Sequence, residues 1–586
     1  MGPLDTKAYL SQAATLEHAG DLKQAAVAVQ KALVLSPETN GIRQYLAKLL
    51  KLDGRPADAY AHYRKLWQEG RIDLDLQVNL VDTLRHQTDR AGEPGLEDEI
   101  SLCLGFQNVA SNSLANVVAA RLKQKYPSTE PPDLDTLCAD DFLRLTLERI
   151  FFTDTELESL LKATRRALLV EVIETGNLPS ARINLIVAIA LQSANNEYVH
   201  DSDDYEKQML DGLMQMQEAM LAEEGDTDGL LGTVLIAAMY RPLIDMPAEP
   251  SLRDLPLENW PETVRPLVRR TLSNRRDEQE IAATIPALKP IEDETSQSVQ
   301  AMYEENPYPR WLSMAYKAPV DFSADLRVCL PEIDLPDFSK RQTLDVLVAG
   351  CGTGRQPISV AKAYKSASVT ALDLSRASLA YGKRMATEMD VDIDFLHGNI
   401  LDLTHLDRRF PLIYCSGVLH HMEDPVAGWK VLCGLLEPEG LMNIGLYSER
   451  ARAVIVKARL VVEKLGIGDD ADSIRRFRHD ILTGRYGDML TPLTRISDFY
   501  SLSGCRDLIF HVQETRYTLP QIDAIRRDLG LEFMGFEKMK PVVVNAYRQS
   551  FPDDPTMTDL ANWDLFEAKN PGLFLNMYNM WFRVAK

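Results

Sequence analysis

At 586 residues the chain is too long for one hydrophobic core and predicts roughly three or four domains. Its 45% apolar and 26% charged residues match an ordinary globular protein, and no run of about 18 apolar residues offers a membrane span. A net charge of −22 argues against nucleic acid as a partner, since phosphate contacts need a basic surface. Seven scattered cysteines without a CxxC pair exclude a disulfide framework and structural zinc. Together with an acidic, polar start lacking an apolar leader, they make the expected location cytoplasmic.

Residues 8–67 repeat with a period of 34: Ala13, Leu16, Gly20, Ala25 and Val29 recur as Ala47, Leu50, Gly54, Ala59 and Tyr63. Small residues where two helices touch, with glycine at the turn between them, form the tetratricopeptide pattern. A degenerate third unit starts near Asp75, with Val81 and Leu84 in phase. Stacked units of this kind bury faces they cannot bury alone and leave a concave surface, which suggests a protein or peptide partner. A helical prop or a dimer surface is the plainer reading. The repeat domain is placed at 1–125.

A Pro-rich linker precedes a second all-α domain at 134–241, where apolar spacing stays helical through DDFLRLTLERIFF and LESLLKATRRALLVEVIE. Within it, NNEYVHDSDD (195–204) reads as a capped loop between helices. The basic clusters Arg265–Arg276 and Arg475–Arg478 read as solvated helix faces. Residues 242–340 are expected to be a linker and strap that includes YEENPYPRW (303–311).

The segment TLDVLVAGCGTGRQPISVAKAY, from Thr343, places an apolar strand before Gly350, Gly352 and Gly354, and a helical pattern after them. A second strand ends at Asp373, where a carboxylate can accept both hydroxyls of a ribose. The spacing is GxGxG with Arg355 next, and a dinucleotide site would want GxGxxG. Further strands end at Gly398–Asn399–Ile400 and at PLIYCSGVLHH (411–421), and a fifth, LMNIGLYS, follows EPEGL.

Over 341–545 this alternation resembles class I S-adenosylmethionine-dependent methyltransferases. With the repeats and the ENPYPRW strap, the layout resembles bacterial tetratricopeptide-containing members of that class. The resemblance implies a multidomain chain. An all-α N-terminal half (tetratricopeptide-like repeats plus a second helical domain) would precede an α/β Rossmann-like methyltransferase domain, with 546–586 as a C-terminal extension. It implies S-adenosylmethionine as cofactor, held by Gly350, Cys351, Gly352, Gly354, Asp373, Leu374, Asn399, Ile400 and Ser416. Members of the class commonly carry an acid where this chain has Val348. Tyr303 and Arg310 of the strap are therefore expected to hold the methionine carboxylate, Arg offering a planar fork for it. The other reading of the strap is an aromatic turn packing the linker onto the sheet.

His420 and His421 lie just past the fourth strand, and histidine titrates near neutrality, so one of them, His421 foremost, is expected to act as a base. Tyr308 and His511 are expected to contact substrate. The polar set His479, Asp480, Arg506, Asp507, His511 and Glu514 matches no metal-ligand spacing, so no metal is expected. The acceptor is expected to be a polypeptide recruited by the helical half, with a small molecule as the alternative. A scaffold that binds cofactor without turnover is the reading of a different class. Acceptor atom and oligomeric state are not encoded in any motif.

Overall fold

The computed structural model describes residues 5–127, 133–222, 227–330 and 333–585. The chain forms two compact units, one from 1–127, 312–318 and 539–555, the other from 128–311, 319–538 and 556–586.

The first unit opens with helices Thr6–His18, Leu22–Leu35, Asn40–Leu52, Pro56–Gln68 and Leu74–Leu84. Alternate helices start at Thr6, Asn40 and Leu74, so the sequence period of 34 is also the period of the helices. Ala13, Ala25, Ala47 and Ala59 are wholly buried at the contacts between helices, where a larger side chain would hold the backbones apart. Gly20 and Gly54 turn the chain at φ 78° and 77° with open space around them, so conformation and not room demands glycine. Asp5, Asp21 and Asp73 cap the helices that follow them through the amide N–H groups of Ala8, Gln24 and Leu76. Segment 312–318 joins this unit through bonds from the Asn108 amide to the Tyr316 carbonyl (3.1 Å) and from the Ser111 N–H to the Ser313 hydroxyl (2.9 Å).

The second unit begins with long helices, among them Thr155–Thr175, Ser180–Asn195 and Asp204–Ala222, as the apolar spacing predicts. Stretch 242–340 is more ordered than a linker. It carries helices Asn274–Thr284 and Glu294–Glu305, and Glu278 of the first bonds Arg384 at 3.0 Å.

Beyond it lies one seven-stranded sheet: β1 (Leu344–Ala349), β2 (Ala367–Asp373), β3 (Asp394–His397), β4 (Phe410–Ser416), β5 (Leu436–Leu446), β6 (Leu531–Phe536) and β7 (Tyr578–Val584). The order is β3-β2-β1-β4-β5-β7-β6. The first five strands are parallel, and β7 runs antiparallel between β5 and β6. Helices between the strands cover both faces, so β1 and β4 are buried almost end to end. The chain reverses strand order at β1 and β4, and the crevice outside their carboxyl ends is where such sheets bind ligands.

The extension expected at 546–586 is thus divided: 546–555 belong to the first unit, and β7 beyond them lies inside the sheet. Residues Pro541–Ser550 form a helix, because Pro541 pre-sets the first helical turn. Between β5 and β6 the insert folds helices Ala453–Leu465, Ala471–Leu482 and Leu502–Phe510 around a core of its own, including Ile474, Phe477, Leu493, Phe499 and Ile509. Among the described residues no helix is long and apolar enough to cross a membrane.

Candidate active site

After β1 the backbone passes through Gly350, Gly352 and Gly354, all left-handed at φ 74°, 52° and 80°. A Cβ on Gly354 would sit 2.7 Å from Gly382 Cα, so this glycine also lets helix Arg376–Glu388 approach the loop. Cys351 is buried, and its N–H donates to the Leu372 carbonyl (2.9 Å), tying the loop to β2. Asp373 at the end of β2 accepts the Gly352 N–H (2.7 Å) and the Ser375 N–H (3.0 Å). Burial raises its pKa to about 6, partly offset by those bonds.

The strap covers this loop. The Tyr308 carbonyl lies 3.0 Å from where a Cβ on Gly352 would be, Thr353 donates its hydroxyl to the Pro309 carbonyl, and the Trp311 indole donates to the Thr353 carbonyl (3.2 Å). The Tyr308–Pro309 bond is cis.

Other expected cofactor residues surround the crevice with their bonds already assigned. His397 donates from Nε2 to the Leu374 carbonyl (2.8 Å). The Asn399 amide donates to Asp293 (3.0 Å) and Ser296 (2.9 Å) at the start of helix Glu294–Glu305, and its oxygen accepts the Leu401 N–H. Ile400 is buried beside it. The Ser416 hydroxyl bonds Asn579 of β7 at 3.1 Å.

Tyr303 and Arg310, expected at the methionine carboxylate, have partners elsewhere. The Tyr303 hydroxyl donates to Asp507 Oδ1 of the insert (2.6 Å). Arg310 lies over the Tyr381 ring at 5.4 Å and 3.8 Å from Glu197. The cause is geometric: a strap lying flat on the loop presents its carbonyls there and its side chains to either side.

One of those sides is a buried polar cluster at the ends of β4 and β5. Tyr303 pairs with Asp507 and Tyr308 with Asp498, and burial raises both carboxyls to about 6, each acid lifting the group further through its acidic neighbours. Arg452 forks onto Glu514 (3.0 and 2.5 Å) and stacks on Tyr447 at 3.6 Å.

The three histidines divide in role. His420 is wholly buried, its ring 3.9 Å from that of Tyr447, and neither ring nitrogen has a partner. Burial holds it far below its ordinary pKa, so it packs against Tyr447 as a neutral imidazole. His421 donates Nδ1–H to the Gln513 carbonyl (2.7 Å), which leaves the Nε2 lone pair free. Burial lowers its pKa to about 4. His511 stacks on His421 at 3.7 Å and 19°, and its Nδ1 accepts the Gln513 N–H (3.1 Å). Its proton therefore sits on Nε2, a buried donor without a partner. His421, Asp507 and His511 bring ligand atoms within 4.8 Å of one another. A metal lies in the plane of each imidazole it binds, however, and these two planes are nearly parallel, so hydrogen bonding suits the trio better than coordination.

Tyr303, Tyr308, His421 and His511, which the sequence reading assigned to three different roles, lie in or beside this cluster. It missed Tyr447, Arg452 and Asp498. Asp498 sits in an unpatterned stretch of the insert, and only its buried partner Tyr308 marks it out.

Against known proteins, residues 346–440 match the family model described as a methyltransferase domain. An uncharacterized protein of a Synechococcus strain is 28% identical over 261 residues, covering 42% of this chain and 60% of its own. Ubiquinone biosynthesis O-methyltransferase of Alkalilimnicola ehrlichii is 32% identical over 101 residues, 17% of this chain and 39% of its own. The chain therefore spans 60% or less of the length of these curated relatives. The solved structure of PKMT2 from Rickettsia typhi in complex with AdoHcy aligns with TM-score 0.37 and 16% identity, over 47% of this chain and 55% of that one. Residues 346–440, which hold the glycine loop and strands β2 to β4, match a methyltransferase domain.

The cofactor of this domain is S-adenosylmethionine. The residues fit it: Asp373 is a buried carboxylate acceptor at the end of β2, where sheets of this kind hold ribose hydroxyls, and it is fixed by the Gly352 and Ser375 N–H groups.

Proposed function

We propose that the chain transfers the methyl group of S-adenosylmethionine to a polypeptide, on an amine nitrogen presented to the cluster around Asp507. The cofactor supplies a methyl group already activated on a sulfonium. The protein then has to align a nucleophile with it and remove a proton. The observation that carries the reading is the composition of the cluster: Tyr303, Tyr308 and Tyr447 beside the two buried carboxyls Asp498 and Asp507. Aromatic faces and carboxylates attract an ammonium, and the carboxylates accept the proton it must shed before attack. His421, held by the Gln513 carbonyl, offers Nε2 as the next acceptor. The N-terminal helices, repeating every 34 residues, are proposed to hold the acceptor chain.

A small-molecule acceptor is the second reading, favoured by the burial of His421, Asp507 and His511, which admits only a slender group. Incubation with methyl-labelled S-adenosylmethionine and a lysate split by size tests the two. Label in the macromolecular fraction that appears in methylated amino acids after hydrolysis supports the proposal. Label confined to the small-molecule fraction supports the second reading. Cofactor binding without label in either fraction supports a scaffold. Calorimetry should find cofactor affinity about ten- to a hundredfold weaker in Asp373→Ala, since a charged hydrogen-bond acceptor is lost.

A further inference from the structure

On the other side of the strap lies a cavity of about 890 Å³, large enough for a nucleotide-sized ligand. None of the glycine loop, Asp373, His421 or Asp507 lines it, so it is separate from the methyl-transfer site. Its wall joins the middle helices, the strap, the start of helix Arg376–Glu388 and the insert.

The charges on that wall do not cancel where they face the space. Glu278 bonds Arg384 (3.0 Å), and Glu305 bonds Arg506 (2.6 Å). Glu304 accepts the N–H groups of Arg376 and Ala377 (2.6 and 3.0 Å), and Glu197 accepts the N–H and hydroxyl of Ser503 (2.6 and 2.7 Å). Each of these four acids thus already has a hydrogen-bond donor, and among the described residues of the wall exposed Asp245 is the acid without a side-chain partner. Arg241 and Arg275 make no side-chain hydrogen bond or ion pair among the described residues. Arg310 has only Glu197, at 3.8 Å, and burial beside Arg275 lowers its pKa to about 10. With Arg475, which donates to the Tyr198 carbonyl (2.8 Å) and to Asp472 (2.8 Å), four guanidiniums line one space in a chain of net charge −22.

Two further observations point to the same wall. The Tyr198 hydroxyl is buried without a hydrogen-bond partner among the described residues, a cost that a bound acceptor would remove. Glu197 and Tyr198 are both left-handed, at φ 57° and 58°, a strained conformation for successive side-chain-bearing residues. The loop at 195–204, which the sequence marks as a polar aromatic break, is thus bent into the cavity wall.

We propose that this cavity is a second ligand site, which binds an anionic small molecule through its phosphate or carboxylate groups, with Arg241, Arg275 and the Tyr198 hydroxyl as donors. Arginine forks suit both kinds of oxyanion.

The test is calorimetric titration of the full-length protein with sodium pyrophosphate and, separately, with sodium citrate at matched ionic strength. Saturable binding of at least one is expected, and which one binds distinguishes phosphate from carboxylate. The double variant Arg241→Gln/Arg275→Gln should weaken it about tenfold or more while its thermal melting stays that of a folded protein. Arg275→Lys keeps the charge, loses the fork and should fall between, which provides a reading if the double variant does not fold. The proposal is overturned if the wild type binds neither probe saturably. It is equally overturned if the folded double variant, or Arg275→Lys where that is the only folded variant, binds as tightly as the wild type.

Discussion

Two imidazoles stacked 3.7 Å apart cannot both hold a charge, and the hydrogen bonds of Gln513 give them opposite tautomers: His421 accepts at Nε2 and His511 donates there. His421→Ala should therefore lower kcat by about 10²–10⁴ in a labelled-methyl assay, with circular dichroism unchanged. The paired acids predict the pH profile. Asp498 and Asp507 are both raised by burial to about 6, so methyl transfer should rise as pH passes upward through about 6. In Asp507→Asn the remaining acid loses its charged neighbour and its pKa falls, so the acid limb of a reduced kcat/KM profile should move to lower pH. Stability runs the other way. Both folded values stand above the ordinary aspartate value of 3.8, so the native state takes up protons between about pH 4 and 6. That contribution is complete below the unfolded value and is lost as pH rises through 6. The glycines and Asp373 were legible because cofactor chemistry fixes residue type and spacing. Asp498 was not, since a buried carboxyl becomes meaningful only beside the Tyr308 that folding brings to it.

At the scale of elements, the insert is anchored by one fully desolvated ion pair. Arg478 of helix Ala471–Leu482 forks onto Glu158 of helix Thr155–Thr175 at 2.9 and 3.3 Å, and also donates to the Phe499 and Val199 carbonyls. Both side chains are less than 5% exposed. Glu158→Ala should cost about 3–5 kcal/mol in urea unfolding, because it strands a buried guanidinium, whereas Glu158→Met/Arg478→Met should cost far less. The sequence reading took Arg475–Arg478 for a solvated face, and periodicity alone gave no reason to bury Arg478. The five parallel strands were readable as apolar runs between helices. β7 was not: Asn579 and Arg583 interrupt its pattern, and each is accommodated only through partners on other strands, Ser416 and Glu532.

At the scale of the molecule, the chain enters its first unit three times, at 1–127, 312–318 and 539–555. A fragment of residues 1–127 lacks the acceptor and donor groups that Ser313 and Tyr316 offer to Ser111 and Asn108. It should melt below the same helices in the whole chain, and adding a peptide of residues 312–318 should restore part of the difference. The sheet has a comparable dependence on distant chain. β5 ends at Leu446, and its partner Tyr578 belongs to a strand made only after the insert, β6 and two further helices. While the ribosome elongates that stretch, the β5 edge stands open and β6 has no neighbour to bond, a combination that invites pairing with other nascent chains. A message cut short between codons 447 and 577 would thus yield a polypeptide with the glycine loop and β2 in place but an unfinished sheet, a substrate for chaperones and proteases and not a weaker enzyme.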